Sequence, residues 1–151
     1  MGIIFEELIN SSVTAKDSQD VLKQVGNLLF EHGFVKETYI RAAIEREKSF
    51  PTGLKLKNIA IAMPHTDSIH VNKPAICIAR LNNTVLFNHM GYSEVSVDAE
   101  LIFMMAITDP DEQIQTLKKA MEVFQSDQAV SEFKNAAVNE ELYLVAKKYL
   151  D

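Results

Sequence analysis

The sequence predicts a single α/β domain of 151 residues, a mixed β-sheet flanked by helices on both faces. Three observations predict it. The first third carries amphipathic stripes of helical period. The middle holds short apolar runs of strand length bounded by Pro, Asn and Asp. The last third begins with Asp109-Pro110-Asp111-Glu112, a strong helix start, and returns to helical periodicity.

Taken in order, Ile3 to Leu8 reads as a brief edge strand. Asp17-Ser18 caps a helix reaching about His32, with Val21, Leu22, Val25, Leu28 and Leu29 on one face and Gly33 as its stop. His32, beside that stop, reads as a partner for the helix C-terminal dipole. A second helix runs from about Lys36 to Lys48, turning Tyr39, Ile40, Ala43 and Ile44 inward. Its last turn, Glu45-Arg46-Glu47-Lys48, reads on periodicity alone as a solvated charged end. Ser49-Phe50-Pro51-Thr52-Gly53 is a turn.

Ile59 to Met63 is an apolar run that stops at Pro64, whose missing N–H and fixed φ end a strand. His65 is thereby delivered to a strand end, where α/β folds gather ligand and catalytic groups and where the side chain is expected to meet solvent. A loop from Asp67 to Pro74 leads to a buried strand, Ala75 to Leu81. Asn82-Asn83 reads as the turn of a hairpin to Thr84–Asn88. Ala99 to Ile107 is nearly all apolar and therefore central. The Asp109 helix has Ile114, Leu117, Met121 and Phe124 as its inner stripe. Ser126 to Ala136 is a short helix. Asn139 is placed to cap a last helix that buries Leu142, Val145, Ala146, Tyr149 and Leu150. Met104, Met105 and Met121 read as core filler.

Composition excludes several classes of function. A net charge of −6 with no basic stripe argues against nucleic-acid binding. No apolar run approaches the ~20 residues of a membrane span. Glu6 and Glu7 interrupt the first apolar patch, so no signal peptide is expected, and Glu6 also breaks the myristoylation pattern begun by Gly2. The single cysteine, Cys77, sits in an apolar run, suits a reducing cytoplasm and reads as a small core hydrophobe. The five glycines are scattered, which leaves no Walker or Rossmann phosphate loop. No nucleophile elbow accompanies a Ser-His-Asp set. His65, Asp67, His70 and His89 match no metal-ligand spacing, so no metal is assigned. His70 and His89 fall in loops without distinctive context.

What remains is an ordered set: Glu45-Arg46-Glu47-Lys48, then Pro51-Thr52-Gly53, then Ile59-Ala60-Ile61-Ala62-Met63-Pro64-His65. This set resembles the IIA domain of the fructose–mannitol type in the bacterial phosphoenolpyruvate-dependent sugar phosphotransferase system, over essentially residues 1–151. The resemblance implies a phosphoryl relay without a cofactor. His65 matches the histidine that takes a phosphoryl group from the phosphocarrier protein HPr, through Nε2. The group then passes to a IIB component, commonly to a cysteine, and the paired IIC permease moves the sugar. Arg46 matches an arginine near the phosphate, and Thr52 a turn threonine able to offer a hydroxyl. The connection Leu54 to Lys57 is longer than in the family pattern. Many members carry Asp-Glu-His at the start of the later helix, where this chain has Asp111-Glu112-Gln113. Gln113, the remaining member of the phosphate-supporting set, exchanges hydrogen bonds but not charge. That departure and the length point to the galactitol-type branch. Two alternatives use the same residues differently: a regulatory relative of the nitrogen-related branch, whose phosphorylation state controls protein partners, and a non-enzymatic interaction domain that keeps only the fold.

Overall fold

The computed structural model describes residues 2–151, and the elements run β1 (Ile4–Val13), α1 (Ser18–Glu31), α2 (Tyr39–Ser49), β2 (Gly53–Lys55), β3 (Ala60–Ala62), β4 (Ala75–His89), β5 (Tyr92–Ala106), α3 (Pro110–Val123), α4 (Asp127–Asn135) and α5 (Asn139–Leu150). The five strands form one mixed sheet. The long strand β4 pairs in parallel with β1 and antiparallel with β5. β5 pairs in parallel with β3, and β3 antiparallel with β2. β2 then touches the far end of β4 through Gly53 and His89, closing a ring of pairings.

That closure fixes the identity of Gly53. A Cβ there would lie 2.6 Å from the Asn88 carbonyl oxygen, and the Gly53 carbonyl accepts from Met90 N at 2.7 Å. Only a residue without a side chain lets the two backbones approach this closely.

The sheet divides the core in two by strand alternation. One face of β4 and β5 supplies Ala75, Cys77, Ala79, Met104 and Ala106 to α1 and α2. The other supplies Ile76, Ile78, Leu101, Phe103 and Met105 to the layer that holds Phe124, Phe133, Leu142 and Ala146. The fold class is therefore the one the sequence predicts, with helices on both faces. Cys77 is fully buried in the first layer, where desolvation pushes its thiol up, out of the reactive range. Met104 and Met105 are core filler as expected, and Met121 packs half-buried at its edge. Among the described residues no helix is long and apolar enough to cross a membrane.

Several local expectations are corrected. Asn82-Asn83 is not a hairpin turn: the strand runs on to His89, and the turn falls at Met90-Gly91, where Gly91 takes φ 82°. Opposite β5 the ladder shifts between Arg80 and Val85, so these asparagines form a bulge. Their side chains are used sideways, Asn82 Nδ2 donating to Thr14 Oγ1 at 2.9 Å and Asn83 Nδ2 to the Ala15 carbonyl at 3.0 Å. The same misreading hid the first half of β5, which begins at Tyr92 rather than Ala99.

β1 is an edge strand as expected but extends to Val13. Its polar end is held by long-range partners, Ser11 N donating to Asn139 Oδ1 at 2.7 Å. That contact also removes Asn139 from the capping role given to it; α5 starts after Val138 with no side-chain cap. α2 begins at Tyr39 rather than near Lys36, and buries Tyr39 and Ala43 with Ile40 and Ile44 half-buried. Gly53 belongs not to a turn but to β2, and the long connection Leu54–Lys57 is the far end of a β2–β3 hairpin closed by Leu56 N to the Ile59 carbonyl at 2.8 Å. Ile114 is exposed, because α3 meets the core only through its second half, at Leu117, Ala120, Met121 and Phe124. Asp17, Asp109 and Ser126 cap α1, α3 and α4 with their side chains, accepting from Asp20, Asp111 and Ala129 N–H groups.

Candidate functional site

The site is assembled where β3 ends. β3 and β5 run in parallel, Ile61 opposite Leu101 and Ala62 opposite Ile102. Pro64 cannot donate to the ladder, yet its carbonyl accepts from Met105 N at 2.9 Å, which keeps the chain against β5 for one more step. Met105 also accepts the Tyr39 hydroxyl at 2.5 Å, tying α2 to the same point. Burial pushes the Tyr39 phenol far up, so it stays a donor.

His65 therefore lies past the end of β3, as the sequence implies. It does not stand open in solvent: only 8% of the residue is exposed. Pro64 and Thr66 are buried on either side of it. Nδ1 lies 2.9 Å from the Met63 carbonyl oxygen. A carbonyl only accepts, so Nδ1 carries the proton and Nε2 keeps its lone pair. Desolvation, with a contribution from the Arg46 charge, holds the imidazole pKa below the ordinary histidine value, against the pull of the Met63 bond and Asp67. The ring is thus neutral at neutral pH.

Arg46 comes from the last turn of α2. Its guanidinium carbon lies 5.1 Å from the centre of the Phe50 ring, and one terminal nitrogen is 4.0 Å from Asp67 Oδ1. Its Nε is buried and has no hydrogen-bond partner among the described residues. A buried N–H of a cation without an acceptor is costly unless an anion completes it.

Thr52 is 3% exposed and linked on both sides. Its N–H and hydroxyl donate to Glu47 Oε2 and Oε1 at 2.8 and 2.9 Å. Its hydroxyl and carbonyl oxygens in turn accept from Met63 N at 3.2 and 3.3 Å. The hydroxyl proton expected to be on offer at the site is thus directed to Glu47. Gln113, in the first turn of α3, is half-buried; its backbone N–H donates to the Asp109 carbonyl at 3.0 Å, and its side chain makes no hydrogen bond with His65, Arg46 or Thr52.

Of the four residues singled out by sequence, the fold brings His65, Arg46 and Thr52 together through the β2–β3 hairpin and the end of α2. The residue that sequence reasoning missed is Glu47. By periodicity it belongs to a solvated helix end, but the fold leaves it only partly exposed, against Thr52. Burial pushes its carboxyl up to about 7, against the opposing pull of two hydrogen bonds from Thr52 and the Arg46 charge. The available signal was its spacing of five residues from Thr52, across a break that starts with Pro51. The other histidines are used locally. His32 Nδ1 donates to the Leu28 carbonyl at 2.9 Å, the helix-end role expected of it. His70 Nδ1 lies 2.7 Å from Thr38 Oγ1. His89 Nδ1 donates to the Met90 carbonyl at 2.7 Å.

A neutral imidazole with one bare nitrogen, beside a guanidinium whose Nε–H lacks an acceptor, is suited to nucleophilic capture of an anionic group. Comparison with known proteins gives the family. Residues 2–149 match the family model described as phosphoenolpyruvate-dependent sugar phosphotransferase system, EIIA 2. The chain is 33% identical over 110 residues to the galactitol-specific EIIA component of the phosphotransferase system of Escherichia coli K12, covering 73% of each. Its fold matches IIA mannitol from Escherichia coli with a TM-score of 0.77 at 21% identity, covering 94% of this chain and 97% of that one. It also matches the complex of Escherichia coli enzyme IIA mannitol with phosphorylated enzyme IIB mannitol, with a TM-score of 0.78 at 21% identity, covering 94% and 95%. The chain belongs to the EIIA 2 family of the phosphoenolpyruvate-dependent sugar phosphotransferase system.

Proposed function

We propose that this EIIA 2 family member is a cytoplasmic phosphocarrier, one IIA domain over residues 1–151, which accepts a phosphoryl group from phospho-HPr on Nε2 of His65 and passes it to a IIB component during sugar uptake, with galactitol as the sugar favoured by its curated relatives. The observation that carries the reading is the hydrogen bond between His65 Nδ1 and the Met63 carbonyl, which leaves the Nε2 lone pair free.

In the forward step that lone pair attacks phosphorus. A P–N bond forms at Nε2 as the bond to the donor breaks, and the electron pair of the broken bond leaves with HPr. The Nδ1 proton stays on the ring, so the phosphorylated imidazole carries a positive charge shared with the Met63 carbonyl. The unsatisfied Nε–H of Arg46 supports a role for its planar fork in meeting the phosphoryl oxygens. In the second step the partner's nucleophile, a cysteine thiolate in most IIB components, displaces the imidazole. Both steps need positioning and charge stabilisation more than new covalent machinery. The small exposure of His65 supports the shielding from water that a labile phosphoramidate requires.

The test is incubation with phosphoenolpyruvate, enzyme I and HPr, followed by intact mass with and without a galactitol-type IIB component. One phosphoryl adduct, discharged when IIB is added, is the expected result. An adduct that IIB leaves in place supports the regulatory branch. No adduct at all leaves only the interaction domain.

A further inference from the structure

We propose that Glu47 is a positioning residue for His65: acting through Thr52 and the Met63 main chain, its carboxylate holds the imidazole as the Nδ1–H tautomer with Nε2 bare. The proposal rests on the reading of His65 as phosphoryl acceptor for its effect on transfer; the tautomer is a property of the resting protein and is read independently.

A chain of contacts runs from part-buried Glu47 to buried Thr52, Met63 and His65. Glu47 Oε2 and Oε1 each take one donor of Thr52, the N–H and the hydroxyl, so the Thr52 side chain has one rotamer and its oxygen one direction. Thr52 then takes the Met63 N–H on its hydroxyl and carbonyl oxygens together. Met63 is fully buried, Pro64 fixes its own φ, and the Pro64 carbonyl is held by Met105 N. Residue 63 is thus pinned on both sides, and its carbonyl can present its lone pairs only toward Nδ1 of His65 at 2.9 Å. A bond to the charged carboxylate polarises the Thr52 hydroxyl and strengthens its acceptance from Met63.

A carboxylate is the side chain this position requires. Thr52 presents two donors, and only a group with two acceptor oxygens satisfies both. A glutamine would turn its NH2 toward one of them. A carboxylate kept largely away from water, with its pKa driven up to about 7, is costly where a surface helix end would serve. The bidentate acceptance from Thr52 is what offsets that cost.

The experiment is a long-range proton–nitrogen NMR spectrum of histidine-labelled protein at about pH 8, above the Glu47 titration, paired with the rate of phosphoryl acceptance from phospho-HPr. In the wild type His65 should show a protonated Nδ1 and an unprotonated Nε2. Glu47→Gln should mix or reverse the tautomers and slow acceptance by about tenfold or more, the scale expected when a nucleophile loses its alignment. Its KM for HPr should stay unchanged, since the proposed role sets the ring nitrogen that reacts and not the docking of the partner. Thr52→Ser should retain the wild-type tautomer, and Thr52→Val should shift it in the direction of Glu47→Gln. Glu45→Gln, a change on the exposed side of the same helix turn, should alter neither readout. A wild-type tautomer in Glu47→Gln overturns the proposal, whether or not the rate falls. If Glu47→Gln does not fold, Thr52→Val decides by the same criterion. A wild type that accepts no phosphoryl group defeats the phosphocarrier reading, while the tautomer comparison still decides the role of Glu47.

Discussion

His65 and Met63, two residues apart, share a 2.9 Å hydrogen bond from ring Nδ1 to main-chain carbonyl, with Pro64 as the rigid link between them. This bond turns a histidine at a strand end into an imidazole with one defined reactive nitrogen. Without it, either nitrogen could carry the proton, and molecules protonated at Nε2 would face a partner with an N–H.

His65 is therefore expected to be the sole acceptor. His65→Ala should abolish the adduct, whereas His70→Ala and His89→Ala should retain it. The wild-type adduct should be lost in acid, since a phosphoramidate breaks once its nitrogen is protonated. Intact mass of the four proteins, before and after acid, checks this. Because His65 is nearly buried and its loss leaves the Met63 carbonyl without a partner, His65→Ala should also cost about 1–2 kcal/mol in denaturant unfolding.

Arg46→Lys should slow acceptance by at least about tenfold while leaving the unfolding transition in place, because an ammonium lacks the planar fork and cannot lie over Phe50 in the same way. Rapid-quench kinetics with phospho-HPr provide the comparison. A rate equal to that of the wild type would make Arg46 a solvated helix end after all.

The dependence on pH should have two parts. Desolvation holds the His65 pKa below the ordinary histidine value, so protonation of the nucleophile limits the rate only at pH lower than for a free imidazole. Glu47 titrates at about 7, and its full acceptor capacity is present only above that, so the wild-type acid limb should begin near pH 7. In Glu47→Gln the limb should move below 6.5, at a lower plateau. The stability signs are opposite. For Glu47 the folded state holds the proton longer, so stability falls as pH rises from about 4.5 to about 7, and Glu47→Gln removes that slope. For His65 the unfolded state takes the proton first, so stability falls as pH drops below about 6.5. Urea titrations from pH 5 to 8 on both proteins separate the two groups.

Gly53→Ala should destabilise by about 1–3 kcal/mol, since the new Cβ meets a backbone oxygen that no rotamer change can move. The loss should carry over to phosphoryl acceptance, because Gly53 follows Thr52 and opens the hairpin that positions Met63. Chemical denaturation with the acceptance assay tests the pair of effects together.

By itself the sequence determined what local rules govern. Asp17, Asp109 and Ser126 begin helices because their side chains take orphan N–H groups. The run before Pro64 ends where the N–H is missing, and the alternation in β4 and β5 commits two faces to burial. The break at Pro64 also singled out His65, whereas Arg46 and Thr52 entered only through the resemblance to a known family. Only the tertiary structure decided what non-local partners govern. Asn82-Asn83 has the composition of a turn, and becomes a bulge because Thr14 and Ala15 of the neighbouring segment receive its side chains. Asn139 has the chemistry of a cap and is taken instead by Ser11, 128 residues away. Glu47 looks like one charge among four on a helix end. It is partly buried because β2 returns from Thr52 onto the end of α2, and a pattern of period 3.6 carries no record of a strand that folds back upon it.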